Sequence, residues 1–196
     1  MTYINQLAYP DMPYPTNVDE PESEFAIDGN VKRAGCGLCC SCMMIELLTL
    51  EHLTLEGCRD LSMQIRANHG IGTDMKILAP ALAEKFGLSL CMTDDILALL
   101  QCLYDGGKAI INVGGNREGH DGTFSNGGHY ILAVSATERE VCILDPSWTD
   151  VKYSEEPRKS RVRQHGYWLY CSPEALEEDT QNRTPGYYLF RRLEFI

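Results

Sequence analysis

No apolar run in the 196-residue chain approaches the roughly 20 residues that a bilayer span requires. The opening residues, Met1-Thr2-Tyr3-Ile4-Asn5-Gln6, carry neither a basic n-region nor an apolar h-region. No membrane insertion and no export are therefore expected. Positive charge is scarce as well: 17 Lys and Arg stand against 28 Asp and Glu, a formal net charge of −11. That surplus repels phosphate backbones and anionic lipid surfaces, which excludes nucleic acid as the expected partner and favours basic peptides or amine-bearing substrates. Gly114, Gly115 and Gly119 precede neither a Gly-Lys-Ser/Thr nor a helix start, so they do not form a phosphate loop.

Cysteine is plentiful, but obvious partners for it are not. The nine cysteines are an odd number, and Cys36, Cys39, Cys40 and Cys42 crowd onto one segment where neighbours pair poorly. No disulfide framework is expected, and the natural setting is a reducing cytoplasm. A zinc site would need a second, separated ligand pair, which this cluster lacks, so no metal is expected.

With 44% hydrophobic residues, the length fits one core. Residues 1–29, rich in Pro, Tyr and acid, read as an extended arm or irregular lead-in, and residues 30–196 as a single domain. Helical signals dominate 37–105. Residues 38–50 are apolar nearly all round, which predicts a buried central helix. A second helix spans 54–68, a third is capped by Thr73 or Asp74 and ended by Gly87, and a fourth opens at Thr93 or Asp94 and stops at Gly106-Gly107. From Lys108 the pattern changes to strands at 109–113, 129–134, 141–144, 167–171 and 187–195. Ser172-Pro173 opens a short late helix, and 154–166 reads as a solvated loop. The fold class is α+β, with N-terminal helices packed on a C-terminal antiparallel sheet.

Cys36 lies in Ala34-Gly35-Cys36-Gly37, directly before the buried helix. Free N–H groups and the positive end of a helix dipole stabilise a thiolate, the nucleophilic form of cysteine. Gly35 and Gly37 suit a place where a substrate backbone approaches. Downstream, Gly127-Gly128-His129 heads an apolar strand at the end of a glycine-rich loop, a natural rim for a site. Asp145 ends the next strand. A hairpin turn centred near residue 137 sets 129 and 145 opposite or diagonal to each other, within side-chain reach. A base and the carboxylate that orients it are thereby brought together.

Blander readings exist for each residue. Cys36 alone fits a structural thiol, His129 a strand-end residue, and Asp145 before Pro146 an ordinary turn residue. Their pairing favours chemistry. His52, His69, His120 and His165 read as surface or capping residues, and among them only His120, in the glycine loop, is a plausible substrate contact.

With Gly-Cys-Gly opening a helix, helices next, then a glycine loop through Phe124 into Gly-Gly-His129 and a strand ending Asp145-Pro146-Ser147, the chain resembles the C39-like cysteine peptidases, which have a papain-like fold. The resemblance runs over residues 25–150. It implies Cys36 as nucleophile, His129 as general base and Asp145 as orienter. Gly35, Gly37, Gly127 and Gly128, beside the nucleophile and the base, are the expected substrate-binding positions, and no cofactor is expected. In that family a glutamine about six residues before the cysteine helps to bind the oxyanion; Asn30 holds that place here, with Gln6 as the alternative. The implied reaction is hydrolysis of a peptide or amide bond through a thioester. Acyl transfer, and a degenerate peptide-binding module that keeps the cleft, are the rival readings.

Overall fold

The computed structural model describes residues 2–193. After a 3-10 turn at Gln6–Ala8, its elements are α1 (Glu24–Ile27), α2 (Val31–Ala34), α3 (Cys36–Thr49), α4 (Leu55–Gln64), α5 (Met75–Lys85), β1 (Leu88–Thr93), α6 (Ile96–Tyr104), β2 (Lys108–Val113), β3 (His129–Ala136), β4 (Val141–Leu144), α7 (Arg158–Arg161), β5 (Val162–His165), β6 (Trp168–Cys171), α8 (Pro173–Thr180) and β7 (Tyr187–Arg192). Among the described residues the strands form one antiparallel sheet in the order β1-β7-β2-β3-β4-β6-β5. The class is α+β, mixed helix and antiparallel sheet. No described helix is long and apolar enough to cross a membrane.

The central strands are apolar on both faces because helices cover both. Ile110, Leu132, Leu144, Tyr188 and Phe190 join the cluster built with α3, α4 and α5. Their neighbours Ala109, Ile111, Ile131, Ile143 and Leu189, one step out of phase, join the cluster built with α6 and α8. The N-terminal helices α3, α4 and α5 thus pack on one face of the sheet, as expected, and α6 and α8 cover the other, so that the sheet is the middle of three layers.

Helix α3 fixes the position of Cys36. Its residues Leu38, Cys39, Cys40, Cys42, Met43, Met44 and Ile45 are all buried, and it packs on β2 and β3 on one side and α4 on the other. Burying each Leu, Met or Ile side chain is worth roughly 1.5–3 kcal/mol, so the helix is held firmly and its first residue with it.

Residues 2–29, which the Pro- and Tyr-rich composition marks as an extended arm or irregular lead-in, are largely irregular and pack against the domain. Tyr14 is fully buried, with its hydroxyl 2.8 Å from Ser62 Oγ and 2.9 Å from Thr73 Oγ1, and Tyr3 stacks on Tyr167 at 4.4 Å. Several local expectations differ from the structure. Gly87 turns the chain with φ +59°, and the residues after it form edge strand β1 rather than a link between helices. The predicted solvated loop at 154–166 contains α7 and β5. Helix α6 is capped by Asp95 rather than by Thr93 or Asp94. The final strand runs to Arg192, and the rest of its expected span past residue 193 lies outside the described residues.

Candidate active site

Gly35 closes α2 and stands at the N-cap of α3, where it has no side chain to satisfy the first-turn N–H groups. Those donors stay available beneath Cys36. Cys36 is partly exposed, while Cys39, Cys40 and Cys42 behind it are buried. Burial raises the Cys36 thiol pKa. The hydrogen bond and charge of His129, with the N–H groups of Tyr130 and Gly37, outweigh that and hold the thiol below its ordinary value. Burial and neighbouring thiols drive Cys39 and Cys40 well above theirs. All nine cysteines are free, and among the described residues no cluster of three or more His, Cys, Asp or Glu converges as metal ligands would.

Strands β3 and β4 bring the base to its orienter. The pairs Leu132↔Leu144 and Ala133↔Ile143 give way to Ser135↔Cys142 across a bulge. Continued past Leu144, this register sets Ser147 opposite His129 and leaves Asp145 on the diagonal. Both reach the imidazole: His129 Nε2 lies 2.7 Å from Asp145 Oδ1 and 3.1 Å from Ser147 Oγ. With Nε2 so engaged, Nδ1 is left for the thiol. Burial pulls the His129 pKa down, but Asp145 and Cys36 raise it to about 9. Each group is thus shifted in the direction that stabilises the charged form of the other.

Asp145 is fully buried and heavily hydrogen-bonded. Besides His129, it accepts from the Ser147 N–H at 2.8 Å, Ser147 Oγ at 3.0 Å, Lys152 Nζ at 2.6 Å and the Tyr153 hydroxyl at 2.5 Å. Burial alone would raise its pKa; the charges and hydrogen bonds of Lys152 and His129 hold it well below the usual carboxylate range. Sequence reasoning missed Ser147, Lys152 and Tyr153. Their only signal was proximity to Asp145 along the chain.

Cys36 and His129 open onto a cleft of about 440 Å³ that is also lined by Phe25, Asn112, Gly128 and Arg183. Among the four glycines expected to bind substrate, Gly128 lines it, whereas Gly35, Gly37 and Gly127 do not. A Cβ on Gly35 would lie 2.6 Å from the Val31 carbonyl oxygen, and one on Gly37 would meet Thr73 Cβ at 3.0 Å, so close packing accounts for both. Asn30 also lies outside the cleft lining. Its Oδ1 accepts from the Arg33 N–H at 3.1 Å to cap α2, and its Nδ2 donates to the Asp28 carbonyl at 3.3 Å. Gln6 turns its amide onto the Lys32 carbonyl at 2.8 Å. Asn30 thus acts as a cap through Oδ1, and its amide donor Nδ2, the group an oxyanion role would need, is turned to the Asp28 carbonyl rather than to the cleft lining. His120 pairs with buried Asp179 at 2.7 Å and does not line the cleft.

No protein-family model matches the chain, and no curated protein matches it.

Proposed function

We propose that the chain is a cysteine peptidase of papain-like layout that cleaves a peptide or amide bond through Cys36, His129 and Asp145. One observation carries the reading: a thiol with a lowered pKa, at the N-terminus of a buried helix, shares a cleft with an imidazole whose far nitrogen is held at 2.7 Å by a buried carboxylate. The order Cys, His, Asp along the chain, and the resemblance to C39-like peptidases that rests on it, add support.

In this mechanism the Cys36 thiolate attacks the carbonyl carbon, and the electron pair moves onto oxygen. The Cys36 N–H, in the uncapped first turn of α3, donates to that oxyanion. Collapse breaks the C–N bond, His129 gives its proton to the leaving amine, and a thioester remains. His129, now neutral, takes a proton from water as it attacks the thioester, and the Cys36 thiolate returns. Asp145 keeps the ring oriented throughout. No cofactor takes part. The free cysteines suit a reducing, cytoplasmic setting for this chemistry.

The test is labelling with a peptidyl chloromethyl ketone, read residue by residue by mass spectrometry, with exposed Cys91 as internal reference. Cys36 is expected to react far faster than Cys91 and to lose that advantage in His129→Gln. Equal rates at the two cysteines, indifferent to His129, would overturn the reading. Product analysis with ordinary amines added at low concentration then separates the two reactions: free acid throughout marks hydrolysis, and amide formed in place of acid marks acyl transfer.

A further inference from the structure

Net charge describes the whole chain, and the cleft departs from it. The charged or chargeable groups lining it are Arg33, Arg183, His129, Tyr130 and the Cys36 thiol itself, and no carboxylate lines it. Arg33 is already partnered: its Nη2 lies 2.6 Å from Glu24 Oε2, and its guanidinium sits 5.1 Å from the centre of the Phe25 ring. Arg183 differs. Among the described residues its side chain has no acidic partner, and its Nε is buried without an acceptor. Buried donors are nearly always satisfied, and a guanidinium fork is shaped to grip a carboxylate.

The backbone makes room for this group beside the reacting residues. A Cβ on Gly128 would lie 2.6 Å from Arg183 Nη2, so the absence of a side chain lets the guanidinium lie against the residue next to His129. An unpaired cation thus borders the imidazole in a cleft free of carboxylates, on a chain with a formal net charge of −11. Local field, not net charge, selects what binds there.

We propose that Arg183 is a specificity residue that binds a carboxylate of the substrate close to the scissile bond, so that the substrates are acidic peptides or amides rather than basic ones. This rests on the peptidase reading above and names its substrate class. The carboxylate belongs either to a chain end or to an acidic side chain, and both present the same planar pair of oxygens.

Two pairs of haloacyl probes that differ by one charge test the idea, because each reacts as the Cys36 sulfur forms a bond to the methylene carbon and iodide departs. N-iodoacetylglycine against N-iodoacetylglycinamide presents the charge as a chain end. The α-amide of N-iodoacetylaspartate against that of N-iodoacetylasparagine presents it as a side chain. The readout is the acid-to-amide rate ratio at Cys36 divided by the same ratio at Cys91, which cancels intrinsic reagent differences. We expect the acid to be favoured in the parent protein, Arg183→Gln to lower the normalised ratio about tenfold, and Arg183→Lys to keep part of it. The pair with the larger Arg183-dependent ratio identifies the source of the carboxylate. Fast labelling without charge preference in the parent, or a preference that Arg183→Gln leaves intact, would overturn this proposal alone. Slow labelling of Cys36 by every probe, no faster than Cys91, would overturn the peptidase reading and this proposal with it.

Discussion

Lys152 Nζ lies 2.6 Å from Asp145 Oδ2, on the opposite carboxylate oxygen from His129 Nε2. The buried carboxylate is therefore shared between an ammonium and an imidazole, with Ser147 and Tyr153 filling its remaining acceptor sites. Lys152→Met removes one charge of a buried pair and leaves the other. It is expected to cost about 3 kcal/mol of folding stability at neutral pH, measured by urea unfolding. The His129 pKa should rise further, because the field of Asp145 is no longer offset, and an NMR titration of the ring protons reads that shift. An unchanged unfolding midpoint with an unmoved titration would show that the ammonium contributes nothing to the site.

Thiolate and imidazolium are expected to coexist over a wide pH range. The Cys36 pKa is lowered, so the thiolate forms before a free thiol would ionise, and His129, raised from 6.5 to about 9, keeps its proton until pH rises through that value. Alkylation of Cys36 by iodoacetamide should remain fast near pH 6, where a free thiol of pKa about 8.5 is almost wholly protonated. Turnover should fall above about pH 9, as the leaving amine loses its proton donor. His129→Gln should shift the alkylation profile toward alkaline pH. Superimposable profiles for the two proteins would remove the ion pair from the mechanism.

Asn30 provides a contrast between two roles that differ in magnitude. As the cap of α2, its replacement by Ala is expected to cost about 1 kcal/mol in stability and to change turnover less than about threefold. An oxyanion donor would instead cost about a hundredfold in kcat with stability unchanged. Comparing kcat and the urea midpoint for Asn30→Ala decides between them, and a hundredfold loss of kcat would support the role read from its spacing to Cys36.

The approach of His129 to Asp145 was legible because a short hairpin fixes register within a residue or two. The turn lies further along than 137 and a bulge interrupts the ladder at Ala133/Ser135, so the carboxylate reaches the ring diagonally and Ser147 takes the facing position. Lys152 and Tyr153 were illegible for a physical reason: they reach Asp145 through an irregular segment after Pro146, where no periodicity marks which side chain turns inward. The same holds for Tyr14, a single apolar residue among prolines whose burial depends on distant Ser62 and Thr73. The two-sided cover of the sheet did leave a trace. Ile110-Ile111 and Ile131-Leu132-Ala133 are consecutive apolar residues where a one-sided sheet would alternate.

Asp179 on α8 anchors the glycine loop that delivers His129. Its fully buried carboxylate accepts from the Thr123 N–H at 3.0 Å and the Phe124 N–H at 3.1 Å, and lies 2.7 Å from His120 Nε2. In Asp179→Ala those buried donors lose their acceptor, at about 1–3 kcal/mol for each one left unsatisfied. Residues 114–128 should then open locally, with faster amide exchange and protease cleavage confined to that loop. The His129–Asp145 contact belongs to β3 and the end of β4, so rapid iodoacetamide labelling of Cys36 should survive the change. Turnover should fall, because the loop forms one wall of the cleft through Gly128. Asp179→Asn, which keeps one acceptor oxygen, should give an intermediate loss of loop protection. Loop exchange that is unchanged in Asp179→Ala would show that the glycine segment is held by its own turns and not by α8.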